Sequence, residues 1–161
     1  MDNDNRPNLY TRRSSVRLPG FDYASTGAYF VTACTEHRRP IFEIPEVSKL
    51  LVDVWETLPK RFPRVTLDEF IAMPDHIHGI LWLDNSVKNA PTLSKVMDAY
   101  KSLTTVAWLN YNKARGTWCS KHLWQRGYYD HIIRNDQDLE LTREYIRNNP
   151  LKLKEIWRDN P

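Results

Sequence analysis

Cysteine is scarce in this chain. The 161 residues contain two, Cys34 and Cys119, which excludes a disulfide framework and a cysteine-built zinc ribbon. No apolar run approaches the roughly 20 residues that span a bilayer. The first 20 residues are polar and carry Arg6, Arg12, Arg13 and Arg17, which excludes a secretory signal peptide. The chain is expected in the cytoplasm, with no membrane partner. An excess of one charge is lacking too: 23 Lys and Arg stand against 20 Asp and Glu, a formal net charge of +3. That is too slight to indicate a nucleic-acid partner by itself. No internal repeat is present.

What remains is a globular composition, 41% hydrophobic and 27% charged, in a length that suits one domain. Residues 1–20 read as a flexible basic arm, followed by a single domain over 21–161. Tyr29 to Cys34 is β-branched and aromatic, as strands are. Glu46 to Arg61 has Val47, Leu50, Leu51, Val54 and Leu58 at helical spacing. Val65 to Met73 and His76 to Leu83 read as two strands joined by a tight Pro74-Asp75 turn. Leu93 to Asn110 reads as a second helix, with Val96, Met97, Tyr100, Leu103, Thr104 and Ala107 on one face. Trp124 to Arg134 reads as a fourth strand. A last helix starts with Asn135 as cap and Asp138 three residues on, and is expected to stop at Asn149 because Pro150 follows. The order β-α-β-β-α-β plus a helix predicts an α+β, ferredoxin-like antiparallel sheet with helices on one face.

Met73-Pro74-Asp75-His76-Ile77-His78 carries the strongest chemical signal. Residues i and i+2 of a strand share a face, so His76 and His78 project side by side while Ile77 packs on the other side. Two adjacent imidazoles can clamp a metal ion, although a bare His-x-His also describes ordinary polar residues at a strand end. In the last helix Tyr145 and Asn149 are four residues apart and share a face with Leu141. If that helix crosses the open face of the sheet, its hydroxyl and amide meet the histidines. Otherwise Tyr145 is a core aromatic and Asn149 a helix-end residue.

Three segments in order, Met73 to His78, Trp124-Gln125-Arg126-Gly127-Tyr128-Tyr129-Asp130-His131-Ile132-Ile133-Arg134 and Tyr145-Ile146-Arg147-Asn148-Asn149-Pro150, resemble the REP-associated tyrosine transposases. These are part of the single-tyrosine HUH transposase superfamily, named for His-hydrophobic-His. The resemblance covers roughly residues 20 to 156. It implies a metal-dependent single-stranded DNA endonuclease and strand transferase that cleaves beside short hairpins through a 5′-phosphotyrosine. It implies Tyr145 as nucleophile, and His76, His78 and Asn149 as ligands of Mg²⁺ or Mn²⁺. The implied partner is single-stranded DNA bearing REP-like palindromes, bound by a monomer or homodimer near the nucleoid. Arg38, Arg39, Lys101, Gln125, Arg126, His131 and Arg134 are the candidate DNA contacts; each also reads as ordinary surface or strand polarity.

Two further readings fit parts of the sequence. One is a non-catalytic single-strand nucleic-acid-binding module, as RNA-recognition domains are; the histidines in HIHGILWL, where such domains carry aromatics, count against it. The other is a replication-initiator nuclease with the same HUH chemistry, against which the Trp-Gln-x-Gly-Tyr-Tyr and Tyr-Ile-x-x-Asn-Pro segments speak.

Overall fold

Strict alternation along two neighbouring strands sorts the sheet into two faces. The computed structural model describes residues 27–158, so the basic arm expected over 1–20 lies outside the described residues. Four antiparallel strands, β1 (Gly27–Cys34), β2 (Val65–Met73), β3 (His76–Leu83) and β4 (Tyr129–Ile133), stand in the spatial order β2-β3-β1-β4. Helix α1 (Pro45–Arg61) connects β1 to β2, and α2 (Leu93–Arg115) connects β3 to β4. With β3 between β1 and β2, this is the ferredoxin-like split βαβ arrangement. Helix α3 (Asp136–Arg158) follows β4.

One face carries Tyr29, Val31 and Ala33 from β1 and Ile77, Leu81 and Leu83 from β3. Against it lie Val47, Leu51, Trp55 and Leu58 of α1, and Leu93, Val96, Met97, Tyr100 and Trp108 of α2. Gly79 belongs to the same face and admits the Trp55 ring: a Cβ there would stand 2.7 Å from two Trp55 carbons. The opposite face carries Phe30 and Ile80, which pack with Leu139 and Ile146 of α3. Helices therefore cover both faces, unevenly. Among the described residues the α1/α2 core gathers nineteen buried side chains and the α3 seat four. At about 1.5–3 kcal/mol for each large buried apolar side chain, α3 is held far less strongly by apolar packing than α1 and α2 are.

The caps follow the local sequence. Thr92 accepts from the Lys95 N–H at 3.2 Å, and α2 ends at Gly116 in the left-handed region, φ 64°, which glycine adopts without steric cost. Asn135 accepts from the Asp138 N–H at 2.8 Å and caps α3 as expected.

Strand β1 starts at Gly27 instead of Tyr29, α1 at Pro45 instead of Glu46, and β4 ends at Ile133 instead of Arg134; three boundaries differ more widely from the sequence reading. The fourth strand starts at Tyr129, not Trp124. Trp124 makes an isolated bridge to Thr35, and the Lys101 ammonium takes the carbonyls of Gln125 and Gly127 at 2.8 and 2.7 Å. Gly127 is left-handed, φ 76°, which breaks an extended run. Helix α2 continues past Asn110 to Arg115 because Asn112 is still buried and the stop signal is Gly116. Helix α3 passes through Pro150 instead of stopping at Asn149. An interior proline removes one hydrogen bond and kinks the helix at a cost of about 3 kcal/mol, and its bias on the preceding residue does not forbid the helix.

Candidate active site

Strand β3 delivers both histidines to the α3 face, with Ile77 between them fully buried on the other side. Their Nε2 atoms stand 3.1 Å apart. Each ring is anchored at its other nitrogen. His76 Nδ1 meets Asp75 Oδ1 at 2.6 Å, and His78 Nδ1 meets Thr32 Oγ1 at 2.7 Å. Thr32 is the cross-strand partner of His78 on β1. When Nδ1–H donates to such an acceptor, the lone pair is left at Nε2, and here both lone pairs converge on one spot.

Electrostatics keep the rings neutral. Burial, helped by the neighbouring His76 and Arg38, pushes the His78 imidazole down to about 3. Burial also lowers His76, against the pull of the Asp75 carboxylate. Neutral imidazoles are electron-pair donors at physiological pH. Among the described residues no group of three His, Cys, Asp or Glu side chains gathers in a metal-binding arrangement. Among the described residues, any third donor beside this pair is therefore of another type.

Helix α3 supplies that other type. The Tyr145 ring lies against His78, centroids 5.3 Å apart, and edge-on to Phe30 at 6.1 Å. Burial raises the phenol above its ordinary range, and a hydrogen bond with the Asn149 side chain opposes this. The Asn149 amide nitrogen is buried with no partner. A 180° turn of the amide exchanges its two ends, so the unpartnered end can present an N–H to a phosphate or an oxygen to a cation. His76, His78 and Tyr145 thus meet in succession within a single chain, and Asn149 is tied to this group through Tyr145. Tyr129 occupies the same sheet face, but in the cross-strand row His78, Thr32, Tyr129 it stands two strands from His78, about 10 Å at the usual strand spacing.

The candidate DNA contacts fall into different settings. The Arg38 guanidinium pairs with Asp75 Oδ2 at 2.8 Å and donates to Cys34 Sγ at 2.7 Å. It therefore sits at the rim of the histidine pair, on the carboxylate that holds His76. His37 and Arg38 are both left-handed, φ 57° and 54°, which is strained for residues with a Cβ. Arg39 ties two loops together through the carbonyls of Glu36 and His122. Lys101 holds the 125–127 loop, on which Gln125 and Arg126 are exposed. His131 Nε2 meets the Asp138 carboxylate at 3.0 Å, which joins the end of β4 to the first turn of α3. Arg134 is exposed beside it.

Sequence reasoning missed Thr32 and treated Asp75 only as a turn residue. A carboxylate directly before His-x-His was the available signal for Asp75. Thr32 becomes visible only through strand register.

Comparisons with known proteins bear on the family and the fold. The family model described as "Transposase IS200 like" matches residues 24–149. The chain belongs to the IS200-like transposase family. A Haemophilus influenzae protein of undescribed function is 33% identical to this transposase over 92% of its chain and 91% of that protein. A second H. influenzae protein, provisionally named a REP-associated tyrosine transposase, is 26% identical over 81% of this chain and 74% of that one. Among solved structures, a REP-associated tyrosine transposase bound to a REP hairpin superposes with TM-score 0.59 at 22% identity, over 78% of this chain and 67% of the other. A Deinococcus radiodurans protein provisionally named a transposase gives TM-score 0.55 at 18% identity, over 80% and 93%. These two establish the shared fold. No helix among the described residues is long and apolar enough to cross a membrane.

Proposed function

We propose that this transposase cuts and rejoins single-stranded DNA next to a short hairpin, with Tyr145 as nucleophile and His76, His78 and Asn149 as ligands of Mg²⁺ or Mn²⁺. The observation that carries the reading is the placement of the Tyr145 ring 5.3 Å from His78, with the Asn149 amide one helical turn further on. The hairpin substrate is suggested by the structural relative bound to a REP hairpin.

The donor set suits a divalent cation. Two nitrogens bound to one ion at right angles, each about 2.1 Å away, lie about 3 Å apart, close to the 3.1 Å between the two Nε2 atoms. Two neutral imidazoles and an amide oxygen carry no formal charge. They leave positions for phosphate oxygens and water, and imidazole ligands make Mn²⁺ at least as suitable as Mg²⁺. When bound, the cation supplies Lewis-acid stabilisation of the charge that develops on the phosphate.

The chain's own residues do the rest. Tyr145 Oη attacks the scissile phosphorus, forms the O–P bond and loses its phenolic proton. The P–O3′ bond breaks, and the departing oxygen takes up a proton to give a free 3′-OH, with the 5′ phosphate left on Tyr145. Burial raises the phenol pKa, so the phenolic proton passes to solvent as the O–P bond forms; the Asn149 amide can orient the hydroxyl but is too weak a base to take the proton. The phosphodiester energy is retained in the tyrosyl ester. A 3′-OH therefore reverses the step and joins strands without a nucleotide cofactor. Thr32 and Asp75 hold the imidazoles, and Arg38 is poised at the rim for a phosphate. The tyrosine set against a histidine pair favours this reading over a non-catalytic binding module.

The test is incubation of the protein with a labelled hairpin-bearing single strand and Mn²⁺, followed by a denaturing gel. A covalent protein–DNA band is expected in wild type and in Tyr129→Phe, and not in Tyr145→Phe. Loss in Tyr129→Phe with persistence in Tyr145→Phe would assign the wrong tyrosine here.

A further inference from the structure

Consecutive side chains of a strand point to opposite faces, and β2 departs from this at one place. Its pairing with β3 shifts register between Leu67 and Phe70, which pair with Leu81 and Gly79. Leu67 and Phe70 both pack on the α1/α2 core. The two residues between them, Asp68 and Glu69, both reach the face that α3 covers. Such bulges re-aim side chains, often beside functional sites.

Each of these carboxylates holds an arginine of α3. Arg143 Nε and Nη2 donate to Asp68 Oδ1 and Oδ2 at 3.0 and 2.6 Å, the parallel two-point geometry that guanidinium and carboxylate make best. Trp82 Nε1 adds a bond to Asp68 Oδ2 at 3.2 Å. Arg147 Nε and Nη2 donate to Glu69 Oε1 at 2.8 and 2.5 Å. The Asp68–Arg143 pair is well shielded, its side chains 12% and 25% exposed, so salt screens it less than a surface pair. Arg143 and Arg147 are one helical turn apart and flank Tyr145 in sequence. The apolar seat beneath them is small: Leu139 and Ile146 on Phe30 and Ile80.

We infer that the β2 bulge is a latch for the nucleophile-bearing helix: Asp68 and Glu69 grip Arg143 and Arg147 and so set where Tyr145 stands over the His76–His78 pair of its own chain. One ion pair would let the helix roll about its contact. Two, a turn apart, fix both its rotation and its slide along the sheet. None of the four touches a reacting atom, so they are positioning residues. The inference rests on Tyr145 being the nucleophile, and it gives Arg143 and Arg147 a task other than binding DNA phosphates.

The experiment uses the full chain and the double variant Asp68→Asn/Glu69→Gln, which keeps size and removes charge. Three quantities are measured: the single-turnover rate of adduct formation at saturating hairpin strand with Mn²⁺, the affinity for that strand, and hydrogen exchange of the amides of residues 139–149. The latch predicts a rate about 10- to 100-fold lower, the scale expected when a reacting group is misplaced by about 1 Å. It predicts unchanged DNA affinity, and faster exchange in α3 with unchanged exchange in β1 and β3. If the double variant loses its near-UV circular dichroism, Arg147→Gln at the more exposed pair replaces it, with a smaller loss of the same kind expected. An unchanged rate, or unchanged exchange in α3, overturns the latch. A changed DNA affinity at unchanged exchange overturns it too, and returns the arginines to phosphate binding. If wild type itself forms no adduct, the nuclease reading fails separately, and the exchange comparison still decides the latch.

Discussion

His76 and His78 face each other through their Nε2 atoms at 3.1 Å, while their Nδ1 atoms are held by Asp75 and Thr32 on opposite sides. One ring's Nε2–H can bridge the pair as a hydrogen bond, and on the proposed reading a cation replaces that proton. His76→Ala and His78→Ala are each expected to abolish cleavage and weaken Mn²⁺ binding, and EDTA to abolish cleavage by wild type. Thr32→Val, which removes only the hydroxyl that orients His78, should weaken Mn²⁺ binding about 10- to 100-fold. Electron paramagnetic resonance titration with Mn²⁺ reads this directly. Full cleavage in excess EDTA would sink the metal-dependent mechanism.

Arg126 is exposed on the loop that Lys101 holds. If it meets a DNA phosphate, Arg126→Ala should flatten the slope of log K against log salt by about 0.7–0.9 and leave Mn²⁺ binding intact. A slope identical to wild type would move the DNA surface elsewhere.

Gly79 is where β3 admits the Trp55 ring. The Cβ of an alanine would lie 2.7 Å from two ring carbons, and a buried indole cannot swing aside as a flexible side chain can. Gly79→Ala should lower stability by about 1–3 kcal/mol, read from the urea midpoint. Trp55→Phe in the same chain should recover part of the loss. A Gly79→Ala protein as stable as wild type would show that the core yields more than its packing indicates.

Asp68 provides a pH dependence. The hydrogen bonds from Arg143 hold its carboxyl below the ordinary carboxylate range. The folded protein therefore binds this proton less readily than the unfolded chain. The stability gained is fully present above about pH 4, the unfolded value, and is lost as pH falls through the lowered folded value. In urea unfolding from pH 7 to pH 2, wild type should exceed Asp68→Asn at neutral pH, and the gap should narrow as pH falls below about 4. A gap of undiminished size at pH 2 would mean that the ion pair is not its source.

Much of this architecture was legible in the sequence because its signals are local. The bounds of β2 and β3 follow from β-branched runs split by Pro74-Asp75, and the shared face of His76 and His78 from the strand period alone. The α3 cap at Asn135 is a three-residue pattern. What escaped depends on contacts distant in sequence. The Lys101 ammonium, 24 residues from Gln125, diverts the carbonyls of a segment whose composition reads as strand. Thr32 is 46 residues from the histidine that it orients. The bulge at Asp68–Glu69 leaves no mark in composition, since two acidic residues in a strand read equally well as an exposed edge. Arg143 and Arg147 likewise read as helix-surface charge until their partners are seen.

The histidines sit on β3, which is flanked by hydrogen-bonded strands on both sides, whereas the tyrosine comes from a helix that sets Leu139 and Ile146 on two buried sheet residues, Phe30 and Ile80. The site is thus assembled from two parts with separate tolerances. Local opening free energies within a protein range from near zero up to the global value, and with so small an apolar seat the ion pairs of Asp68 and Glu69 carry much of what holds α3 to the sheet. On the proposed reading, releasing those ion pairs would lift the tyrosine and leave the histidine pair undisturbed, because the pair belongs to the sheet and not to the helix.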